Sequence, residues 1–185
     1  METASTSSDE ELMLAYREGD AQALRELFSR YAGPLTRAVT RMLRDEERSR
    51  DVVQQTFLQV HRARADFDRS RSFRPWLYTI GLNLARDELR RRGRRPEESL
   101  EYEPAGDEPT QEQAVQRSEN RARLEAALAE LSAEQREVVV LHWFEGLSFA
   151  EIATTTGAGL SAVKVRAHRA YKKMRQLLES GGVTG

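Results

Sequence analysis

The residues of this 185-residue chain that are equipped for chemistry are cations at helical spacing, not nucleophiles or metal ligands. Within Ser148–Leu178 stand Lys164, Arg166, Arg169, Lys172, Lys173 and Arg175, with Ser161 and His168 among them. A second group, Thr79, Asn83, Arg86 and Arg90, lies on one polar helical stripe that runs into Arg90-Arg91-Arg92-Gly93-Arg94-Arg95. Arginine, lysine, asparagine and threonine in such rows bind phosphates and base edges. No nucleophile–base pair or carboxylate dyad is evident, so no catalytic or cofactor-binding residue is assigned. The chain has no cysteine, and His61, His142 and His168 are far apart in sequence. Neither thiol chemistry nor a zinc site is expected.

The elements that must hold these cations can be read from their punctuation. Ser148 and Glu151 form a capping box that starts a short helix. Gly157-Ala158-Gly159 stops it and turns the chain, and Ser161 is placed to cap the helix that follows. On that helix Val163, Ala167, Ala170, Met174 and Leu177 share one stripe, which leaves the cations on the other faces. This is the pattern of a helix-turn-helix whose second helix enters the DNA major groove. For the stretch alone, an ordinary helical hairpin with a solvated charged face is the alternative. Gly157-x-Gly159-x-x-Ala162 loosely fits a dinucleotide fingerprint, but that motif needs a preceding strand and here the preceding segment is helical.

A net charge of −1 conceals strong segregation. Residues 1–95 sum to +4, 96–130 to −7 and 131–185 to +2. The N-terminus is acidic and polar, the reverse of a secretion signal. No apolar run is long enough to span a bilayer, so no membrane insertion is expected. Residues 1–8 read as disordered. Helices are expected on both sides of Gly19-Asp20, with another starting at Pro34, a good first-turn residue. The helix near Glu46–Arg64 has two distinct faces. Val53, Phe57 and Val60 belong in a core, whereas Asp51, Gln54, Gln55, Leu58 and Arg62 point outward, and a leucine in that company suggests a partner surface. After a loop over Asp66–Arg74, Pro75-Trp76 opens a helix whose core side is Phe73, Trp76, Leu77, Ile80 and Leu84. Residues 96–113, rich in proline and acid, read as a flexible linker. A helix over Ala114–Glu130 and another, capped by Ser132 and Gln135, lead through Trp143 to the helix-turn-helix. The expected fold is all-α: an N-terminal helical domain over 1–95, the linker over 96–113 and a helix-turn-helix domain over 114–185.

Taken together, DVVQQTFLQV (Asp51–Val60), FRPWLYTIGLNLARDELRRRGR (Phe73–Arg94), LSAEQREVVVLHWFEGLSFAEIA (Leu131–Ala153) and AVKVRAHRAYKKM (Ala162–Met174) resemble the extracytoplasmic-function group of bacterial sigma factors. The resemblance covers nearly the whole chain, with four motifs in order. It implies that the two domains are sigma regions 2 and 4, that core RNA polymerase and promoter DNA are the partners, and that the protein is cytoplasmic and not an enzyme. It implies that Asp51, Gln54, Gln55, Leu58 and Arg62 dock on polymerase. It places Thr79, Asn83, Arg86, Asp87, Arg90 and Arg91 on the −10 element. Ser161, Lys164, Arg166, His168, Arg169, Lys172 and Lys173 fall on the −35 element. An anti-sigma protein is a further implied partner, and the acidic linker matches a tether threading the RNA exit region. The chain departs from the family pattern at Ser132, where a proline is usual, and at Ala162 and Val165, where threonine and serine are frequent. A stand-alone helix-turn-helix regulator remains the alternative; it would need a dimer interface and palindromic DNA.

Overall fold

The computed structural model describes residues 7–68, 70–94 and 111–180, and every regular element among them is helical. The polar start (residues 1–6), Arg95, the linker stretch 96–110 and the final GGVTG lie outside the described residues. The helices are α1 (Asp9–Arg17), α2 (Ala21–Leu43), α3 (Glu46–Arg62), α4 (Phe73–Arg94), α5 (Gln111–Ala129), α6 (Ala133–Val139), α7 (Phe149–Thr156) and α8 (Leu160–Ser180). A 3-10 turn, Arg64–Asp66, follows α3, and a π turn, Val140–Phe144, follows α6. None of these helices is long and apolar enough to cross a membrane.

Side-chain caps explain most of the helix starts. Ser8 with Glu11, Ser132 with Gln135 and Ser148 with Glu151 are complete capping boxes, and Asp20 and Asp45 cap α2 and α3. Each satisfies backbone N–H groups that a helix start leaves without partners. Gly157 ends α7 in the left-handed region, at φ 69°.

Two local expectations are corrected. No new helix begins at Pro34; α2 runs straight through it. An internal proline costs about 3 kcal/mol or more, but Leu27, Leu35, Ala38, Val39 and Met42 stay buried in one register on both sides. Gly33, with no Cβ to meet the proline ring, also eases the join. Ser161 does not cap α8, because the helix already starts at Leu160 and the Gly159 carbonyl accepts from Val163 N (3.1 Å). The other shifts are small: α4 begins at Phe73 instead of Pro75, and α5 at Gln111 instead of Ala114.

The first bundle, α1–α4, packs α2 and α3 around α4. Gly81 marks the closest approach: a Cβ there would meet Leu35 Cδ1 at 3.2 Å and Thr56 Oγ1 at 3.3 Å. The second bundle, α5–α8, holds its own cluster of Leu128, Leu131, Val139 and Ala170. The larger core does not stop at the first bundle. It continues through Tyr78, Leu82 and Ala85 of α4 into Val138, Val140, Leu141, Leu147 and Ile152, so α4 is buried from both sides. Gly81→Val should therefore overpack α4 against Leu35 and Thr56, lowering stability by about 1–3 kcal/mol. Urea denaturation followed by far-ultraviolet circular dichroism measures that loss.

Candidate nucleic-acid interface

Helix α8 is fixed from beneath and open above. Val163, Ala167 and Ala170 are buried, while Ser161, Lys164, His168, Arg169 and Lys172 are exposed on the faces left over. Val165 is 48% exposed in their midst, so the outer face carries an apolar patch as well as cations. Two members of the expected set have partners inside the chain. Arg166 pairs with Glu134 of α6 (3.0 Å), and Lys173 donates to the Glu130 carbonyl. The second observation gives Lys173 a capping role at the end of α5, where a helix dipole favours a cation.

Helix α4 spends its polar residues unevenly. Asn83 is exposed, and its Oδ1 accepts from Arg86 Nη1 (2.7 Å). Arg86 also donates through Nη2 to Glu137 of α6 (2.6 Å). Asp87 and Arg90 form an exposed pair one turn apart, and Arg91 reaches Glu88 at 3.5 Å. The Thr79 hydroxyl is half-buried and donates back to the Pro75 carbonyl (2.8 Å). Arg92 belongs to the fold: it donates to the Leu43 carbonyl (2.7 Å) at the end of α2.

On α3, Asp51, Gln54, Gln55, Leu58 and Arg62 are all exposed, opposite buried Val53, Phe57 and Val60. Leu58 is 45% exposed. Phe28 of α2 is 47% exposed and packs its ring 4.8 Å from Phe57. Among the described residues no group of three His, Asp or Glu side chains is set to hold a metal ion.

Several charged residues that the motifs did not single out join the two bundles. Glu145 is buried, accepts from the Tyr78 hydroxyl and lies 3.9 Å from Arg74. Arg136 donates to the carbonyls of Leu128 (2.8 Å), Ala129 (2.9 Å) and Leu131 (3.1 Å), and across to Met42 (3.3 Å). Arg41 stacks over Phe144 at 4.0 Å and pairs with Glu125 at 3.4 Å. No local spacing in the sequence signals these links, because each partner lies on a distant helix.

Residues 27–95 match the family Sigma-70 region 2, and residues 121–174 match Sigma-70, region 4. The chain is 37% identical over 169 residues to the RNA polymerase sigma factor CarQ of Myxococcus xanthus, covering 90% of this chain and 95% of that one. It is 34% identical over 167 residues to the ECF RNA polymerase sigma factor SigL of Mycobacterium tuberculosis, covering 89% and 94%. The chain belongs to the extracytoplasmic-function group of RNA polymerase sigma factors. Its backbone is also similar to CnrH in the solved complex with the cytosolic domain of CnrY, with a TM-score of 0.73 and 31% identity over 94% of this chain and 99% of that one. This sigma factor binds core RNA polymerase and directs initiation at promoters, which sets aside the stand-alone regulator.

Burial raises the carboxyls of Glu137 and Glu145 above the ordinary glutamate range, and the arginines facing them only partly offset it. Facing Glu145 are Tyr78 and Arg74 of α4 and Arg37 and Arg41 of α2. The folded form then holds these protons more tightly than the unfolded chain. Stability from this source is full below the ordinary glutamate value and is lost as pH rises through the raised one. A Glu145→Gln chain lacks that titration. Between pH 7 and pH 5 the thermal midpoint of the wild-type chain should rise relative to that of Glu145→Gln. A difference that stays flat, or falls, would show that burial is not the dominant influence on Glu145.

Proposed function

We propose that the three exposed faces divide the work of initiation. In this reading Asp51, Gln54, Gln55, Leu58 and Arg62 of α3 dock on core polymerase. Asn83, Arg86, Asp87, Arg90 and Arg91 of α4, with Thr79 behind them, meet the −10 element. Ser161, Lys164, Arg166, His168, Arg169, Lys172 and Lys173 of α8 meet the −35 element. The observation that carries the reading is the α3 face, where a half-exposed leucine sits among polar residues over a buried core. DNA binding alone gives that face no purpose; a protein partner does.

Each DNA-reading helix offers only a few cations, so the free protein should bind DNA weakly and with strong salt dependence. Fixing both modules on one polymerase converts two weak contacts into one bivalent grip. Unpaired bases of the −10 strand can then be held by stacking and hydrogen bonds that offset the loss of duplex stacking. On α8, Val165 and Ala162 present methyl groups in place of hydroxyls. In the major groove such groups suit the C5-methyl of thymine, so the −35 preference should include a thymine at that contact. The resemblance to CnrH bound by CnrY supports a cytoplasmic protein held by an anti-sigma partner.

The direct test is transcription in vitro from a promoter library with purified core polymerase. Initiation at a discrete set of promoters only when the protein is added is the expected result. Leu58→Arg should abolish co-purification with core polymerase while leaving the circular dichroism spectrum unchanged; undiminished binding would remove the α3 assignment. Arg169→Ala should lower transcription at least several-fold from promoters carrying a −35 element. Equal output from templates with and without that element would remove α8 from the reading.

A further inference from the structure

We propose that the short helix α1 clamps the promoter-reading helix α4 to the polymerase-docking helix α3, with Glu10 and Tyr16 as positioning residues for −10 recognition. This inference rests on α3 as the polymerase face and α4 as the −10 reader. Helix α1 precedes residues 27–95, the stretch that matches region 2, and carries none of the assigned polymerase or promoter contacts. Met13 and Tyr16 bury one side of it, and its polar groups reach the two working helices. Glu10 Oε1 accepts from the backbone N–H of Phe73, the first residue of α4 (2.8 Å). The Tyr16 hydroxyl shares a hydrogen bond with His61 Nδ1 in the last turn of α3, beside Arg62. Glu10 and Tyr16 lie about 9 Å apart along the axis of α1, so this helix spans the gap that residues 63–72 bridge.

The start of α3 meets the end of α4, so the two helices run antiparallel. Their other contacts lie away from the clamp. Gly81 lets α4 approach Thr56 in the middle. At the far end Arg48 Nη1 donates to Glu88 Oε1 (2.6 Å), and Arg92 lies 4.0 Å from Asp45. At the near end the connecting chain supplies a 3-10 turn and one buried anchor, Phe67, whose ring packs 5.2 Å from Trp76. Glu10 acts there as a cap: its carboxylate takes up a backbone N–H and faces the positive end of the helix dipole. Because this cap comes from another helix, it also fixes where the end of α4 lies. Asp9 anchors the clamp in turn, accepting from the Tyr31 hydroxyl and from Arg30 Nη1 (2.9 Å) on α2. A chain held on polymerase through Gln55, Leu58 and Arg62 can bring Thr79 and Asn83 to one base step only if the angle between α3 and α4 is set. A misplacement of about 1 Å is enough to lose an oriented contact.

The test uses the full chain assembled with core polymerase. It compares a template selected from the promoter library with the same template carrying a scrambled −10 element. The ratio of transcription from the two, at saturating sigma factor, reports −10 recognition and is not moved by a loss of folded protein. Glu10→Ala and Tyr16→Phe should bind polymerase as the wild type does. Each should lower the ratio about fivefold, the population cost of one lost cap or hydrogen bond. Glu10→Gln, which keeps an acceptor for the Phe73 N–H, should recover most of it. Val39→Ala, a core substitution on α2, is the control for lost stability and should lower output from both templates alike. An unchanged ratio in Glu10→Ala and Tyr16→Phe overturns the clamp and leaves α4 as a DNA reader. An equal fall in Val39→Ala, or a Glu10→Gln chain as poor as Glu10→Ala, overturns it as well. Loss of polymerase binding in the α1 variants does so too, by moving α1 to the docking step. A wild-type ratio near one removes the −10 reading itself, and the clamp with it.

Discussion

Helix α4 must be dry around most of its circumference and still offer polar groups to a ligand. The rest of the structure follows from how that conflict is met. Phe73, Leu77, Tyr78, Leu82 and Ala85 are all fully buried, and Gly81 lets α2 and α3 approach the backbone itself. Fully burying a large apolar side chain is worth roughly 1.5–3 kcal/mol, whereas an exposed ion pair is worth at most about 1. Packing therefore decides where α4 lies, and its charges can be assigned by position. Asp87, Arg90 and Arg91 remain at the surface, Arg92 is tied to the end of α2, and Arg74 and Arg86, on the side facing the second bundle, acquire partners there.

The second bundle solves a different problem, that of presenting a straight helix from short supports. Helices α6 and α7 have only seven and eight residues, too short to be stable by propensity alone. Each begins with a full capping box, and α7 ends in a left-handed glycine, so backbone groups at the ends are satisfied locally. Arg136 then gathers the carbonyls at the end of α5 in one guanidinium. His142 adds a link across the π turn, donating from Nδ1 to the Leu147 carbonyl (2.7 Å) while stacking on Phe149. With its supports fixed this way, α8 needs only a thin stripe of small apolar residues to be held. Most of its surface is left to face outward.

What the sequence made legible was what is encoded within a few residues. The Ser132/Gln135 and Ser148/Glu151 boxes, the turn at Gly157, the buried stripe of α8 and the two faces of α3 all rest on spacings of three or four. The order of the four motifs added the family. The sequence was misleading where distant packing overrides a local rule. Pro34 looks like a helix start, but core residues on both sides hold α2 together. Ser161 looks like a cap, but the glycine turn lets α8 begin two residues sooner, at Leu160. It was silent on the interface: Glu137 and Glu145 meet arginines and a tyrosine some 50 to 70 residues away. No periodicity reports a partner at that separation. Leu82 and Ala85 fall off the single apolar face of α4 for the same reason, since the second bundle supplies a second dry side.

The choice of cation fits this division. Through residue 95 every basic side chain is arginine, and the three lysines, Lys164, Lys172 and Lys173, all lie on α8. Arginine's planar fork can satisfy a carboxylate or a carbonyl as readily as a phosphate, whereas lysine is a hydrated point charge. On α4 this gives three grades of availability within seven residues. Arg92 is committed to the Leu43 carbonyl, and its loss would expose the end of α2. Arg90 and Arg91 hold only exposed one-turn pairs, which a phosphate can replace at little cost. Arg86 stands between them in commitment, since its partner is a buried carboxylate whose own desolvation weakens the pair. A helix that must both fold and read DNA can use one residue type for both tasks, because the competing acceptor, not the arginine, determines when each is free.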